Sequence, residues 1–158
     1  MLKIKNKIKL IISDFDGIFT DGCITVHNDG STSKKLSFHD IMAVSMLKKN
    51  GLKFAIISGE KSAAIEYLAN KFDVEDVYQD IRVKAPVVCA LMKKYNLKSN
   101  EVAYIGDDFN DIDALNSVEN KFTVPNANYR VKTVKGIQIT EAQGGNGAFR
   151  ELVDAILF

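Results

Sequence analysis

Cysteine is scarce in this chain. Cys23 and Cys89 are the only two, far apart and without C-x-x-C spacing. A disulfide framework and a zinc site are therefore not expected, and two reduced thiols suit a cytoplasmic protein. Excess charge is lacking as well: 21 basic against 20 acidic side chains leave a formal net charge of +1. No global field draws the chain to nucleic acid or to an anionic membrane. Long apolar runs are missing too, and no window reaches the roughly 18 apolar residues of a membrane span. The amino-terminal MLKIKNKIKLII is interrupted by lysines, and its apolar part is too short for a signal-peptide core. No internal repeat, linker or low-complexity tract divides the sequence. Its 158 residues, 46% hydrophobic and 26% charged, are expected to form one soluble domain spanning residues 1–158.

What is present begins with IKLIISDFDGIFTDG, residues 8–22. The run Leu10-Ile11-Ile12 reads as a buried strand. It leads straight into Asp14 and Asp16, and carboxylates at the mouth of a buried strand are costly unless something pairs or uses them. Residues 22–38 then read as a polar, projecting hairpin, with strands around 24–27 and 34–38 and Asn28-Asp29-Gly30 as the turn. Asp40 is placed as the cap of a helix over 41–50, stopped at Gly51. Further strands are expected at 54–57, 74–78, 102–105, 122–124 and 137–139. Helices are expected at 61–72, from Lys84 with Pro86 in its first turn, at 110–117, and at 148–157. Strands alternating with helices imply a mainly parallel sheet in an α/β fold.

Polar residues gather where strands end. Asp14 and Asp16 follow the first strand, Ser58 the second, and Asp107 and Asp108 a later one, while Lys84 opens a helix. In an open parallel sheet these ends lie along one edge, and ligands bind there. Carboxylates with one hydroxyl and one lysine suit Mg²⁺ and a phosphate, because the ion takes hard oxygen ligands and phosphate oxygens take cationic or hydrogen-bond donors.

The sequence resembles the haloacid dehalogenase superfamily of phosphatases, whose four motifs stand here in order: DFDGIFTDG, IISGE, Lys84 and GDDFND. The resemblance implies a Rossmann-like core and an aspartyl-phosphate mechanism. Asp14 would attack phosphorus and Asp16 would move protons. Mg²⁺ would be held by Asp14, the Asp16 carbonyl and Asp107. Ser58 and Lys84 would bind phosphoryl oxygens, and Asp108 and Asp111 would hold waters or Lys84 behind them. No segment between these motifs is long enough for a cap domain. The resemblance is closest to the capless, tetrameric phosphatases of 3-deoxy-D-manno-octulosonate 8-phosphate (Kdo 8-phosphate) and of sialic-acid-type 9-phosphates. Shared with them are TDG after the first motif, the hairpin, QDIRVK, VAYIGDDFND and GGNGAFRE. In such proteins a neighbouring copy completes the pocket, so a homotetramer is implied. Gly59, Glu60, Lys71 and Arg150 are its substrate-binding candidates, and the tail 144–150 could enter a neighbour's site. Glu60 stands where the Kdo 8-phosphate group commonly has arginine, and with Lys71 it looks more like the nine-carbon group. Leu68, which replaces a basic residue of that group, and His39-Asp40-Ile41, in place of Arg-Asp-Gly, depart from these patterns. Kdo 8-phosphate is the first expectation and a sialic-type 9-phosphate the alternative.

Three other readings compete. A response-regulator receiver would carry its phosphoacceptor on the third strand and a late lysine, where this chain has GDDFND. A catalytically silent oligomerisation module would be expected to have lost a member of the set, and none is lost. An accessory to a sugar-nucleotide synthetase on another chain is compatible with the same residues.

Overall fold

The computed structural model describes residues 2–158. Six strands form one parallel sheet: β1 (Leu10–Ser13), β4 (Lys53–Ile57), β5 (Asp76–Tyr78), β6 (Val102–Ile105), β7 (Asn120–Thr123) and β8 (Gln138–Ile139). Their order across the sheet is β5-β4-β1-β6-β7-β8. Ile11 pairs with Phe54 on one side and with Ala103 on the other. The chain thus builds outward from β1 to β5, then returns to start the other half at β6. The crevice between the carboxyl ends of β1 and β6 is the switch point where such sheets bind ligands.

Both faces are covered, which explains why β1 and β6 are continuous apolar runs and not alternating ones. Ile11 faces a core closed by the helices α1 (Phe38–Lys49), α2 (Ala63–Phe72) and α6 (Ala148–Leu157). Leu10 and Ile12 face a second core under α3 (Ala85–Lys94), α4 (Ile112–Asn116) and α5 (Tyr129–Lys132). No described helix is long and apolar enough to cross a membrane.

The hairpin forms, but it is shorter than expected and its second strand lies at Thr32–Ser33, ahead of the expected 34–38. β2 (Thr25–Val26) and β3 (Thr32–Ser33) pair antiparallel and are exposed on both faces. A ladder with no face to bury gains little by extending. Residues 34–37 run on instead to α1, which starts at Phe38, where the Ser37 hydroxyl accepts from the His39 N–H.

Asp40 is therefore inside α1 and is not its cap. Its buried carboxylate accepts from the backbone N–H groups of Gly147 and Arg150, 3.0 Å each, and so caps α6, more than 100 residues away. A carboxylate there meets both the free N–H groups and the positive end of the helix dipole. The expected helix over 110–117 is a 3-10 turn at Phe109–Asp111 followed by α4, and the short α5 was not expected.

Candidate active site

The loop after β1 is anchored by aromatic packing. Phe15 stacks on Phe19 with centroids 5.5 Å apart, and Phe19 meets Phe149 of α6 at 4.5 Å. Gly17 has φ +79, and a Cβ there would lie 1.9 Å from Asp107 Oδ2. Glycine is required at that turn on both counts, because a side chain would be strained and would displace the acid. Gly106 similarly leaves room for Asp111, 2.4 Å from a would-be Cβ.

Asp14, Asp107 and Asp111 come together here, with one carboxylate oxygen of each within 4.8 Å of the others. The fully buried Lys84 ties two of them, its Nζ lying 2.8 Å from Asp14 Oδ2 and 2.8 Å from Asp111 Oδ1. Both oxygens of Asp111 are already in use. Oδ1 also accepts from the Tyr104 hydroxyl at 2.6 Å, and Oδ2 accepts from the N–H groups of Asp107 and Asp108 at 3.1 Å. Asp111 thereby holds Lys84 and the Asp107–Asp108 loop.

Three carboxylates around one ammonium leave an excess of negative charge. Burial, then repulsion from Asp111, pushes the Asp14 carboxyl well above its ordinary range, against the pull of Lys84. Burial and the charges of Asp111 and Asp108 push Asp107 up to about 7. Burial works against the Lys84 charge, but Asp111 and Asp14 outweigh it and raise its pKa. A divalent cation relieves such a cluster directly, and an all-oxygen donor set fits a hard ion. Asp14 and Asp107 could hold it through their carboxylates.

Ser58 is buried at the end of β4, its hydroxyl accepting from the Glu60 N–H at 3.1 Å. A cleft of about 380 Å³ joins Asp14, Asp16, Ser58, Gly59, Glu60, Asp107 and Asp108. Lysine 71 and Arg150 do not line it. Lys71 is exposed on α2 and donates to the Tyr67 hydroxyl, and the Arg150 guanidinium donates to Asp154 at 2.8 Å. The tail meets its own chain: the Gly145 N–H donates to Ile18 O at 2.8 Å, and Gly144 packs against Gly17.

Three site residues are not among the candidates read from the sequence, although Asn110 and Arg82 stand inside the GDDFND and QDIRVK stretches. Lys34, just after β3, places Nζ 2.7 Å from both oxygens of Asp16 and so fixes that carboxylate from the hairpin. Asn110 lines the cleft with a buried Oδ1 that has no partner among the described residues. Arg82 lines it as well.

The comparisons with known proteins agree with this geometry. Residues 36–119 match the family model of haloacid dehalogenase-like hydrolases. The 3-deoxy-D-manno-octulosonate 8-phosphate phosphatase of Yersinia pestis is 31% identical over 95% of this chain and 80% of its own length. The corresponding enzyme of Moraxella catarrhalis, solved with magnesium, phosphate and KDO, superposes with a TM-score of 0.89 at 34% identity, covering 96% of this chain and 86% of that one. A cobalt-bound form from Haemophilus influenzae gives a TM-score of 0.88 at 30% identity, over 96% and 88% of the two chains. Motifs, sheet order, acidic cluster and relatives converge on one assignment: the chain belongs to the haloacid dehalogenase-like hydrolases.

Proposed function

We propose that this protein is a Mg²⁺-dependent phosphatase acting on the phosphate monoester of a 2-keto-3-deoxy sugar acid, with Kdo 8-phosphate as substrate. The observation that carries the reading is the convergence of Asp14, Asp107 and Lys84 beside Ser58 at the switch point of the sheet. Relatives named for this activity match over nearly the whole chain.

In the first step an Asp14 oxygen attacks phosphorus, the ester P–O bond breaks, and Asp16 gives a proton to the leaving alkoxide. In the second, Asp16 takes a proton from water as the water attacks the aspartyl-phosphate, releasing inorganic phosphate and Asp14. Ser58 and Lys84 hold the phosphoryl oxygens as charge spreads over them. Magnesium, held by Asp14, the Asp16 carbonyl and Asp107, would supply the charge neutralisation that lets a carboxylate approach a phosphate. Asp111 keeps Lys84 in place, Asp108 holds a water, and Lys34 orients Asp16.

The cleft is open, and a second copy covers it in this reading. Ile24 and Val26 of the hairpin and Phe38 at the start of α1 are exposed, as the faces of a homotetramer would be. Glu60 reaches the substrate from within the same chain, while Lys71 and Arg150, which lie outside this cleft, are left to a neighbour's site. Glu60 in the cleft also favours the second reading, a sialic-type 9-phosphate. Phosphate release with Mg²⁺ from the eight- and nine-carbon phosphates, set against p-nitrophenyl phosphate, tests both. Comparable kcat/KM on all three defeats the sugar-acid assignment, and a monomer in light scattering defeats the tetramer.

A further inference from the structure

The charge lining the cleft poses a problem that the motif residues leave unsolved. Five carboxylates face it, from Asp14, Asp16, Glu60, Asp107 and Asp108, against a single cation, Arg82. Lys84 is fully buried between Asp14 and Asp111, and Lys34 is held by Asp16. No described residue forms a hydrogen bond or ion pair with the Arg82 guanidinium. A phosphate has its own anchors at the floor. A second anionic group on the same substrate would meet Glu60 or Asp108 unless Arg82 receives it.

The backbone holds Arg82 over that opening. Asp80 turns the chain with φ +58, the Ile81 N–H donates to Ser58 O at 3.0 Å, and the Ser58 N–H donates to Tyr78 O at 2.9 Å. Gln79 accepts from the Ser62 N–H at 2.9 Å. The segment before Lys84 is thereby stapled to the loop of Ser58, Gly59 and Glu60. Gly59 keeps the join tight, since a Cβ there would lie 3.1 Å from Asn110 Nδ2 and 3.9 Å from Ile81 O. A long, exposed side chain on a fixed base can sweep the rim while its root stays put.

We infer that Arg82 is the specificity-determining residue that binds the carboxylate of the substrate, its planar fork pairing with both oxygens. This rests on the sugar-acid reading above. The phosphate end is bound by the reaction machinery whatever the leaving group is, and Arg82 adds recognition at the far end.

The test measures a ratio: kcat/KM for a carboxylated phosphate over that for its uncharged counterpart, with the full-length protein and Mg²⁺. The probes are Kdo 8-phosphate and its C1 amide, and 6-phosphogluconate and glucitol 6-phosphate. In Arg82→Gln the ratio falls about 10- to 100-fold, the scale of a charged hydrogen-bonded pair, mostly through KM. Arg82→Lys, which keeps the charge without the fork, lies between. An unchanged ratio in Arg82→Gln overturns the proposal, as does a wild type that shows no preference within either pair, or a loss of preference that follows Lys71→Ala instead. Failure of the sugar-acid reading shows separately, as poor wild-type turnover of Kdo 8-phosphate, and the six-carbon pair then still decides for or against Arg82.

Discussion

The two edges of the sheet treat buried carboxylates in opposite ways. At the amino edge Asp76, buried at the start of β5, accepts from Lys94 at 2.7 Å, from Tyr78 at 3.2 Å and from the Tyr95 hydroxyl. Lys53 adds its ammonium over the Tyr95 ring at 4.1 Å. Burial alone would raise the Asp76 carboxyl, but Lys94 and the two tyrosines outweigh it and hold the group below its ordinary value. At the carboxyl edge, Asp14 and Asp107 are raised by burial and by repulsion from Asp111. One edge is complete within the chain. The other carries negative charge that the chain does not balance, and that imbalance separates a structural ion cluster from a site awaiting a cation and a substrate.

The contrast can be broken most sharply at Asp14. Replacing it with Asn removes the attacking oxygen, and turnover falls by at least about 1,000-fold while circular dichroism stays that of the folded protein. Residual activity near wild type would remove Asp14 from the mechanism.

Stability separates the edges next. Asp76→Ala strands two tyrosine hydroxyls and a lysine, and costs about 2 kcal/mol, a fall of about 4–8 °C in Tm, with kcat at 25 °C preserved. Asp107→Asn goes the other way. It removes a repelled carboxylate and raises the stability of the metal-free protein at pH 8 by about 1 kcal/mol, while turnover is lost. Excess Mg²⁺ raises the Tm of the wild type at that pH and leaves Asp107→Asn nearly unmoved. Equal responses of the two proteins to Mg²⁺ would deny Asp107 a place among the ligands.

Acid titration gives the smaller signature, with two slopes. Asp107 titrates at about 7 in the folded protein against 3.8 for the free carboxyl, so between these values the folded state binds more protons than the unfolded one. The stability of the metal-free protein therefore falls as pH rises from about 4 to about 7. Asp76 has the opposite sign: its contribution is present above the ordinary carboxyl pKa and is lost as pH falls below it. Metal-free denaturation curves collected from pH 3 to pH 8 read both slopes, and Asp107→Asn flattens only the upper one.

Much of this was legible before any coordinates. The central strands, α3 with its early proline, α6, and the order of the motifs follow from local apolar runs and turn residues. The absence of a cap follows from counting residues between motifs. Asp40 carries a local cap signal, a polar residue ahead of an apolar stripe, that the fold does not use. The true cap is Ser37, and the carboxylate serves a helix remote in sequence. The hairpin's second strand stops at Ser33 and does not run over Lys34–Phe38, because an exposed ladder has no packing to extend it.

By itself, the sequence determined which chemical groups stand at the tips of strands, because each of those placements depends only on a short run and the turn after it. The tertiary structure alone decided what those groups meet. It brought Asp107 to Asp14 across the switch point, set Lys84 between Asp14 and Asp111, laid Lys34 of the hairpin on Asp16, and stapled Arg82 to the Ser58 loop. Hydrogen bonds and charge pairs between distant segments leave no periodic trace along the chain. They follow from the order in which the strands are laid down.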